Sequence, residues 1–112
     1  MVWFRLDEQQ GSETLIITYD ISSQASREAV VHLREKGKKV SLLVAKTLLP
    51  IPQIYVDIAN RYTRVVVVEE NLTGQLRHLL FGAAGRKGVS GVNGIAKMIS
   101  PTEIVEEVMR YE

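Results

Sequence analysis

Two adjacent carboxylates are the residues of this chain with the clearest potential for chemistry. Glu69 and Glu70 directly follow a run of four valines, residues 65–68. Because neighbouring side chains of a strand point to opposite faces of the sheet, two consecutive glutamates do not form the paired carboxylates of an acid–base site. Glu69 is instead expected to accept hydrogen bonds from neighbouring turns.

The residues that follow complete a turn motif. Asn71 is expected to fix the turn through its side chain, and Gly74 to permit a close approach or a special backbone angle. Gln75 either donates across a subunit contact or is solvated. A structural or interface role is predicted for the motif formed by these three residues with Glu69 and Glu70, and a contact near a ligand is the alternative.

A second polar turn follows residues 14–19, whose β-branched content predicts a strand. Asp20, Ser22 and Ser23 lie where this strand gives way to a helix. Serine is favoured at a helix start for capping alone. Since the ends of strands in open α/β sheets are also where ligands bind, this turn is predicted to be ligand-proximal.

Nothing else in the sequence resembles a catalytic or metal site. The chain has no cysteine, which excludes disulfides, thiolate zinc sites, iron–sulfur ligation and a cysteine nucleophile. His32 and His78 have charged neighbours and no metal-ligand spacing, so both are predicted on the surface. An anion-binding nest around Arg86 and Lys87 is the weaker alternative to a loop that is mobile or ordered by a partner. No catalytic residue, metal or cofactor is therefore expected in this chain.

Composition and hydropathy limit the kinds of partner that are expected for this chain. A net charge of +1 gives no reason to expect nucleic acid. No apolar run approaches the ~20 residues of a membrane span, and the N-terminus does not have the pattern of a signal peptide. A cytoplasmic location is therefore expected. Exposed apolar residues at Trp3, Leu48, Leu49 and Ile51 would mark a docking surface.

Strand and helix patterns alternate along the 112 residues, which is the length of one domain. The spacing predicts strands over residues 2–6, 14–19, 40–45 and 65–68. The recurring glycines from Gly82 to Gly94 predict a flexible connection, with a weak last strand over residues 94–98. Short connections between alternating elements favour parallel βαβ units in a three-layer α/β/α sandwich.

The helices have recognisable ends. Apolar spacing predicts them over residues 23–36, 53–62 and 74–80, with Gly37 ending the first. A fourth helix begins at Pro101. Ser100 at the N-cap and Glu103 three residues later form the pattern of a capping box.

Four segments together resemble the C-terminal domain of the alpha subunit of 2-oxoacid:ferredoxin oxidoreductases, within the transketolase C-terminal-like group. The most specific is the E-x-N-x-x-G-Q-L pattern that begins at Glu69. The segments are SREAVVHLREKGKKVSLL (26–43), LLPIP (48–52), VVVVEENLTGQLRHLL (65–80) and ISPTEIVEEV (99–108).

The resemblance implies a single domain over residues 1–112, with a mostly parallel five-stranded sheet of order 1-3-2-4-5 and strand 1 antiparallel. It also implies an enzyme that decarboxylates a 2-oxoacid on thiamine diphosphate with Mg, passes electrons through iron–sulfur clusters to ferredoxin, and forms an acyl-CoA. These cofactors are expected on other domains or subunits. The turn that begins at Asp20 departs from the small Gly-Ser type common in the family.

Two functions follow. The first is an assembly domain of such an oxidoreductase, not catalytic alone, whose partners are the other domains or subunits and, through the complex, ferredoxin. The alternative is a free-standing small-anion-binding or regulatory module with the same fold, which would bind its anion near the turns after Tyr19 and Glu69.

Overall fold

A computed structural model describes most of the chain. The described residues are 3–19, 23–46, 53–69, 75–82, 86–93 and 99–110.

Five strands form one mixed sheet of order β1-β3-β2-β4-β5. Only β1 runs antiparallel to its neighbour, and the other strands pair in parallel. The sheet order and the antiparallel first strand expected from the resemblance are thus confirmed. The strands are β1 (Phe4–Asp7), β2 (Thr14–Tyr19), β3 (Val40–Ala45), β4 (Arg64–Glu69) and β5 (Val89–Asn93).

Four helices lie within the described residues, close to their predicted positions. They are α1 (Ser23–Glu35), α2 (Gln53–Ala59), α3 (Gln75–Phe81) and α4 (Pro101–Met109). Gly37 has a φ of +85°, which an L side chain rarely adopts, and it follows the last turn of α1. In the part of the chain that the structure describes, no helix is both long and apolar enough to cross a bilayer.

The sheet separates two hydrophobic cores, which confirms the α/β/α layering. On one face, alternate residues of the central strands such as Ile16 and Val66 pack against α1 and α4. On the other face, Leu15 and Val65 pack with residues of α2 and α3. The four valines of β4 are all fully buried because both of their faces are covered, as is typical of parallel strands.

The fourth helix begins as predicted. The Ser100 hydroxyl accepts a hydrogen bond from the backbone N–H of Glu103 at 3.2 Å, and Pro101 occupies the first helical position. The Glu103 carboxylate lies 3.5 Å from the same hydroxyl. This cap fixes the direction in which α4 packs over the sheet.

The glycine-rich segment predicted as a flexible connection contains a strand that the sequence analysis missed. β5 is Val89–Asn93, inside the glycine-rich segment, whereas residues 94–98 lie outside the described residues. Glycines conceal this strand because they weaken the apolar alternation by which a strand is recognised. Gly88 permits the pairing, since a Cβ there would lie 2.3 Å from the carbonyl oxygen of Thr63.

Tyr55 connects the first strand to the core. Its side chain is fully buried. The Tyr55 hydroxyl donates to the carbonyl oxygen of Trp3 at 3.0 Å, and its ring packs edge-on against Phe4 with centroids 5.9 Å apart. Trp3 and Phe4 are themselves 62% and 38% exposed. Two aromatic side chains are therefore held at the surface of an edge strand.

Candidate functional site at the carboxyl end of the sheet

The two predicted turns begin at one edge of the sheet. Strands β2 and β4 are parallel neighbours, and Thr18 is paired with Val68. Tyr19 and Glu69, from which the turns depart, are therefore side by side. Asn93 joins them, because β5 pairs with β4 so that Asn93 is opposite Glu69. This is the edge at which open α/β sheets form binding sites and contacts.

Glu69 holds the beginning of α3. Its side chain is 3% exposed. One carboxylate oxygen, Oε1, accepts from the backbone N–H of Leu76 at 2.7 Å, and Oε2 accepts from that of Arg77 at 3.1 Å. A carboxylate with two short backbone donors stabilises the first turn of a helix, where N–H groups have no partner within the helix.

This arrangement is suited to fixing structure rather than to transferring protons. Both oxygens of Glu69 are occupied by amides, and the helix covers the group from solvent. Burial of this carboxylate is compensated by the two hydrogen bonds, which is the usual condition for burying a charged group.

The structure describes the other predicted site residues only in part. Ser23 is buried as the first residue of α1. The backbone of Gln75 begins α3. Asp20, Ser22, Glu70, Asn71 and Gly74 lie outside the described residues.

A cation that the sequence analysis did not single out lies beside Glu69. The Arg77 guanidinium lies over Gly91 of β5, so that a Cβ on Gly91 would be 3.0 Å from Nη1 and 3.3 Å from Cζ. The Oδ1 atom of Asn93 is 3.1 Å from the same point, and it is buried without a hydrogen-bond partner. A glycine inside a strand signals close approach of another group, and this was the available clue.

The opposite, amino end of the sheet also carries arginines. The Nη2 atom of Arg64 is 3.4 Å from the Glu107 carboxylate and donates to Ser90 Oγ at 3.1 Å. Arg86 donates to the carbonyl oxygen of Tyr62 at 2.7 Å. Together with Lys87, these arginines line an open hollow of about 610 Å³. The Nη1 atom of Arg86 is nevertheless buried without a hydrogen-bond partner, so hydrogen bonds within the fold use only part of this guanidinium. The anion nest around Arg86 and Lys87 stays a prediction.

The residues that the structure describes form no recognisable metal site. The sequence has no cysteine to ligate an iron–sulfur cluster. Within the described ranges, no group of three or more His, Asp or Glu side chains is placed to hold a metal ion. His32 is exposed, and the side chain of His78 lies outside the described residues.

The sequence matches a family of oxidoreductase domains. The model of the pyruvate:ferredoxin oxidoreductase core domain II matches residues 12–107. The chain belongs to this family.

A curated relative supports the same assignment. The ketoisovalerate oxidoreductase subunit VorB of Methanothermobacter thermautotrophicus is 31% identical over 99 residues, which are 87% of this chain and 28% of that subunit. The chain thus spans less than a third of the relative that it matches.

Solved structures show the same fold. The 2-oxoglutarate:ferredoxin oxidoreductase of Magnetococcus marinus, bound to 2-oxoglutarate, coenzyme A and succinyl-CoA, superposes with a TM-score of 0.81 and 26% identity. That match covers 96% of this chain and 19% of the other. An inactive β4 tetramer of a split-gene transketolase shares the fold alone, with a TM-score of 0.72, 17% identity, and coverage of 95% and 40%.

Proposed function

We propose that this chain is an assembly domain of a 2-oxoacid:ferredoxin oxidoreductase, which contributes contacts to the rest of the enzyme and no catalytic group. The observation that carries the proposal is the match of nearly the whole chain to one domain of a much longer oxidoreductase subunit. A domain with this relationship acts through its contacts with the remainder of the enzyme.

The chemistry of the carboxyl edge supports a non-catalytic role. The buried carboxylate there, Glu69, uses both oxygens to hold the backbone of α3. A general base must instead reach a proton of the substrate, directly or through one water. Glu69 therefore supports the shape of the edge rather than a reaction.

The first strand provides a candidate contact surface. Trp3 and Phe4 are exposed on an edge strand, and the hydrogen bond and ring contact of Tyr55 hold that strand against the core. Aromatic side chains are enriched in protein interfaces because they bury a large area with few rotatable bonds. We assign this surface to contacts with another domain of the oxidoreductase.

In this arrangement, the catalytic steps take place on other parts of the complex. Oxidative decarboxylation of a 2-oxoacid to an acyl-CoA takes place elsewhere, on thiamine diphosphate with Mg and on iron–sulfur clusters of other domains or subunits. Ferredoxin is reached only through the complex. The assembled enzyme is proposed to work in the cytoplasm.

The test begins with the native polypeptide that carries this sequence. It is isolated from source extract with an antibody, and its mass, its co-purifying proteins and its 2-oxoacid- and CoA-dependent ferredoxin reduction are measured. We expect the polypeptide to co-purify with a thiamine-containing complex that has this activity. The isolated 112-residue chain, assayed at equal molar concentration, is expected to have none.

Two results would overturn the proposal. One is recovery of the polypeptide from extract with no large thiamine-containing partner. The other is turnover of a 2-oxoacid by the isolated chain that is absent from a matched Glu69→Gln preparation, since that result would make this carboxylate catalytic.

A further inference from the structure

The first strand forms one edge of the sheet in the part of the chain that the structure describes. β1 is the outermost strand of the order, and Phe4, Arg5 and Asp7 are exposed on it. An edge strand presents backbone N–H and C=O groups with which a further strand can pair.

The hydrogen bonds to β3 show which backbone groups of β1 face outward. The N–H of Lys46 donates to the carbonyl oxygen of Trp3 at 3.1 Å, so the backbone of Trp3 faces β3. In an antiparallel pair, successive residues face the neighbouring strand and the opposite side in turn. The backbone of Arg5 therefore faces β3, whereas the N–H and C=O groups of Phe4 and Leu6 point away from the sheet.

The side chains of β1 divide between the two faces of the sheet. Leu6 packs against the core on the side of α2 and α3. Asp7 lies on the other face, where its carboxylate is 3.2 Å from the Arg34 guanidinium of α1. Arg5 shares this face, because it is two residues away, at roughly 7 Å along the strand.

The surroundings of Arg5 within the sheet are apolar. Its cross-strand neighbour on β3 is Val44. Arg5 takes part in none of the ion pairs between described residues. The segments next to β1 and β3 that lie outside the described residues, 1–2 and 47–52, contain no acidic side chain.

A second copy of β1 matches this edge in one particular register. We place two copies antiparallel about a two-fold axis, with Leu6 of one opposite Leu6 of the other, so that the outward-facing backbone groups meet. Arg5 of each copy is then opposite Asp7 of the other. Directly opposite residues of an antiparallel pair have Cβ atoms about 5 Å apart, and opposite charges in these positions stabilise the pair.

The neighbouring registers do not have this complementarity. An axis through Arg5 or through Asp7 would put two like charges directly opposite each other, which is destabilising. An axis through Phe4 would leave Asp7 beyond the paired segment. Charged residues on an edge strand usually discourage pairing with another edge, but the alternating signs in β1 favour one register.

We propose that β1 pairs with β1 of a second copy of this domain, which joins the two sheets and forms reciprocal Arg5–Asp7 ion pairs across the two-fold axis. This inference rests on the proposed assembly function, since it names the other domain of the oxidoreductase that covers the first-strand surface. That domain is the same domain in a second copy of the subunit.

The first experiment measures dimerisation of the 112-residue chain by sedimentation velocity over a range of concentrations. We expect the wild type to form a dimer. Arg5→Glu and Asp7→Lys each create like charges at both ion pairs, so each should raise the dissociation constant of the dimer by about tenfold or more. An equimolar mixture of the two variants restores opposite charges at both positions and should dimerise within about threefold of the wild type.

Two further variants control for net charge. Lys87→Glu and Glu106→Lys make the same charge changes at exposed positions outside β1, and they should leave the dissociation constant unchanged. The mixture also controls for the Arg34 contact that Asp7→Lys removes, since an unfolded variant could not restore dimerisation.

Hydrogen exchange provides a second measurement. The N–H of Leu6 faces outward, so its exchange should slow by about tenfold or more between dilute and concentrated samples. The N–H of Arg5 faces β3 and should be protected to a similar extent at every concentration.

Each result has a distinct meaning. A chain that stays monomeric but still enters the thiamine-containing complex would overturn the β1 pairing and leave the assembly function standing. A charge-paired dimer that joins no such complex would overturn the assembly function but not the pairing. Weakening by Arg5→Glu alone, without restoration in the mixture, would overturn the Arg5–Asp7 register. Equal protection of Leu6 at every dilution would show that residues of the same copy cover this edge and would also overturn the proposal.

Discussion

Two arginines at opposite ends of the parallel strands, Arg64 and Arg77, differ in the partners of their side chains. At the amino end, Arg64 is 16% exposed and pairs with Glu107, which is 13% exposed. At the carboxyl end, the buried Glu69 accepts from the backbone amides of Leu76 and Arg77, and the Arg77 side chain forms no ion pair with a described residue. Among the described residues, Arg64 at the amino end thus pairs with a carboxylate, whereas the Arg77 side chain at the carboxyl end is in none of the ion pairs.

This difference distinguishes residues that stabilise the domain from residues whose side chains do not pair within its described part. A partly buried pair such as Arg64–Glu107 contributes only when both members are present, because losing one leaves the other unpaired. Replacing the Arg77 side chain removes no hydrogen bond or ion pair with a described residue. The comparison therefore predicts which substitutions reduce stability and which do not.

The largest loss is expected from Glu69→Ala. The substitution leaves two N–H groups at the start of α3 without acceptors, at about 1–3 kcal/mol for each buried donor. We expect the free energy of unfolding to fall by about 3 kcal/mol, measured by urea denaturation of the isolated chain. Glu106→Ala, at an exposed position of α4, is the control and should change it by less than about 0.5 kcal/mol.

Glu69→Gln refines the same comparison. Glutamine keeps one acceptor but presents an N–H donor group where the second oxygen was. We therefore expect Glu69→Gln to be more stable than Glu69→Ala but less stable than the wild type. Equal stability of Glu69→Ala and the wild type would contradict the role of this carboxylate in holding α3.

Gly88→Ala is expected to have the next largest effect, at the amino end. A Cβ there would meet the carbonyl oxygen of Thr63 at 2.3 Å, and φ is +85°. Strain and displacement of the β4–β5 pairing should together cost about 2–3 kcal/mol. Gly37→Ala is a matched control, since it has the same φ with open space around it and should cost only about 1 kcal/mol. Similar losses for the two variants would show that the contact with Thr63 is not tight.

Glu107→Gln tests the ion pair between Arg64 and Glu107 at the amino end, and it should lower the free energy of unfolding by less than the substitutions above. It removes the charge that faces Arg64 but retains an acceptor, so a loss of about 1–2 kcal/mol is expected from thermal and urea unfolding. The exposed pair that Glu107 also makes with Arg110, whose side chain is 68% exposed, should contribute little. Arg110→Gln is therefore expected to stay within about 0.5 kcal/mol of the wild type.

Arg77→Gln is expected to have the smallest effect on the isolated chain. No described hydrogen bond or ion pair is lost, so the free energy of unfolding should change by less than about 0.5 kcal/mol. A loss above about 1.5 kcal/mol, comparable to that of Glu107→Gln, would show that Arg77 stabilises the domain itself and would remove the contrast between the two ends.

The sequence was a good guide where local chemistry alone determines structure. The valines of β4 predict a doubly covered strand, and Ser100, Pro101 and Glu103 predict the start of α4, because these residue types act within a few positions of themselves. The order of the strands came from the resemblance to a family. Local periodicity does not indicate which distant segments pair with each other.

The site was harder to predict than the fold. That Glu69 would accept hydrogen bonds followed from its place after a buried strand, but which donors it receives depends on how α3 folds back. Arg77 was not singled out because its place over β5 depends on Gly91, which is distant in the sequence. The segment that forms that strand was itself predicted as a flexible connection, since its glycines conceal the alternation.

The contact between Tyr55 and the first strand has an optical consequence. Trp3 is the sole tryptophan of the sequence, and the Tyr55 hydroxyl donates to its backbone carbonyl oxygen. Its indole fluorescence therefore originates from one known place at the edge of the sheet, and Tyr55 is close enough to transfer excitation to it. Binding of another protein surface over Trp3 would shift its emission to shorter wavelength. Trp3 fluorescence therefore reports whether the first strand is in contact with a partner.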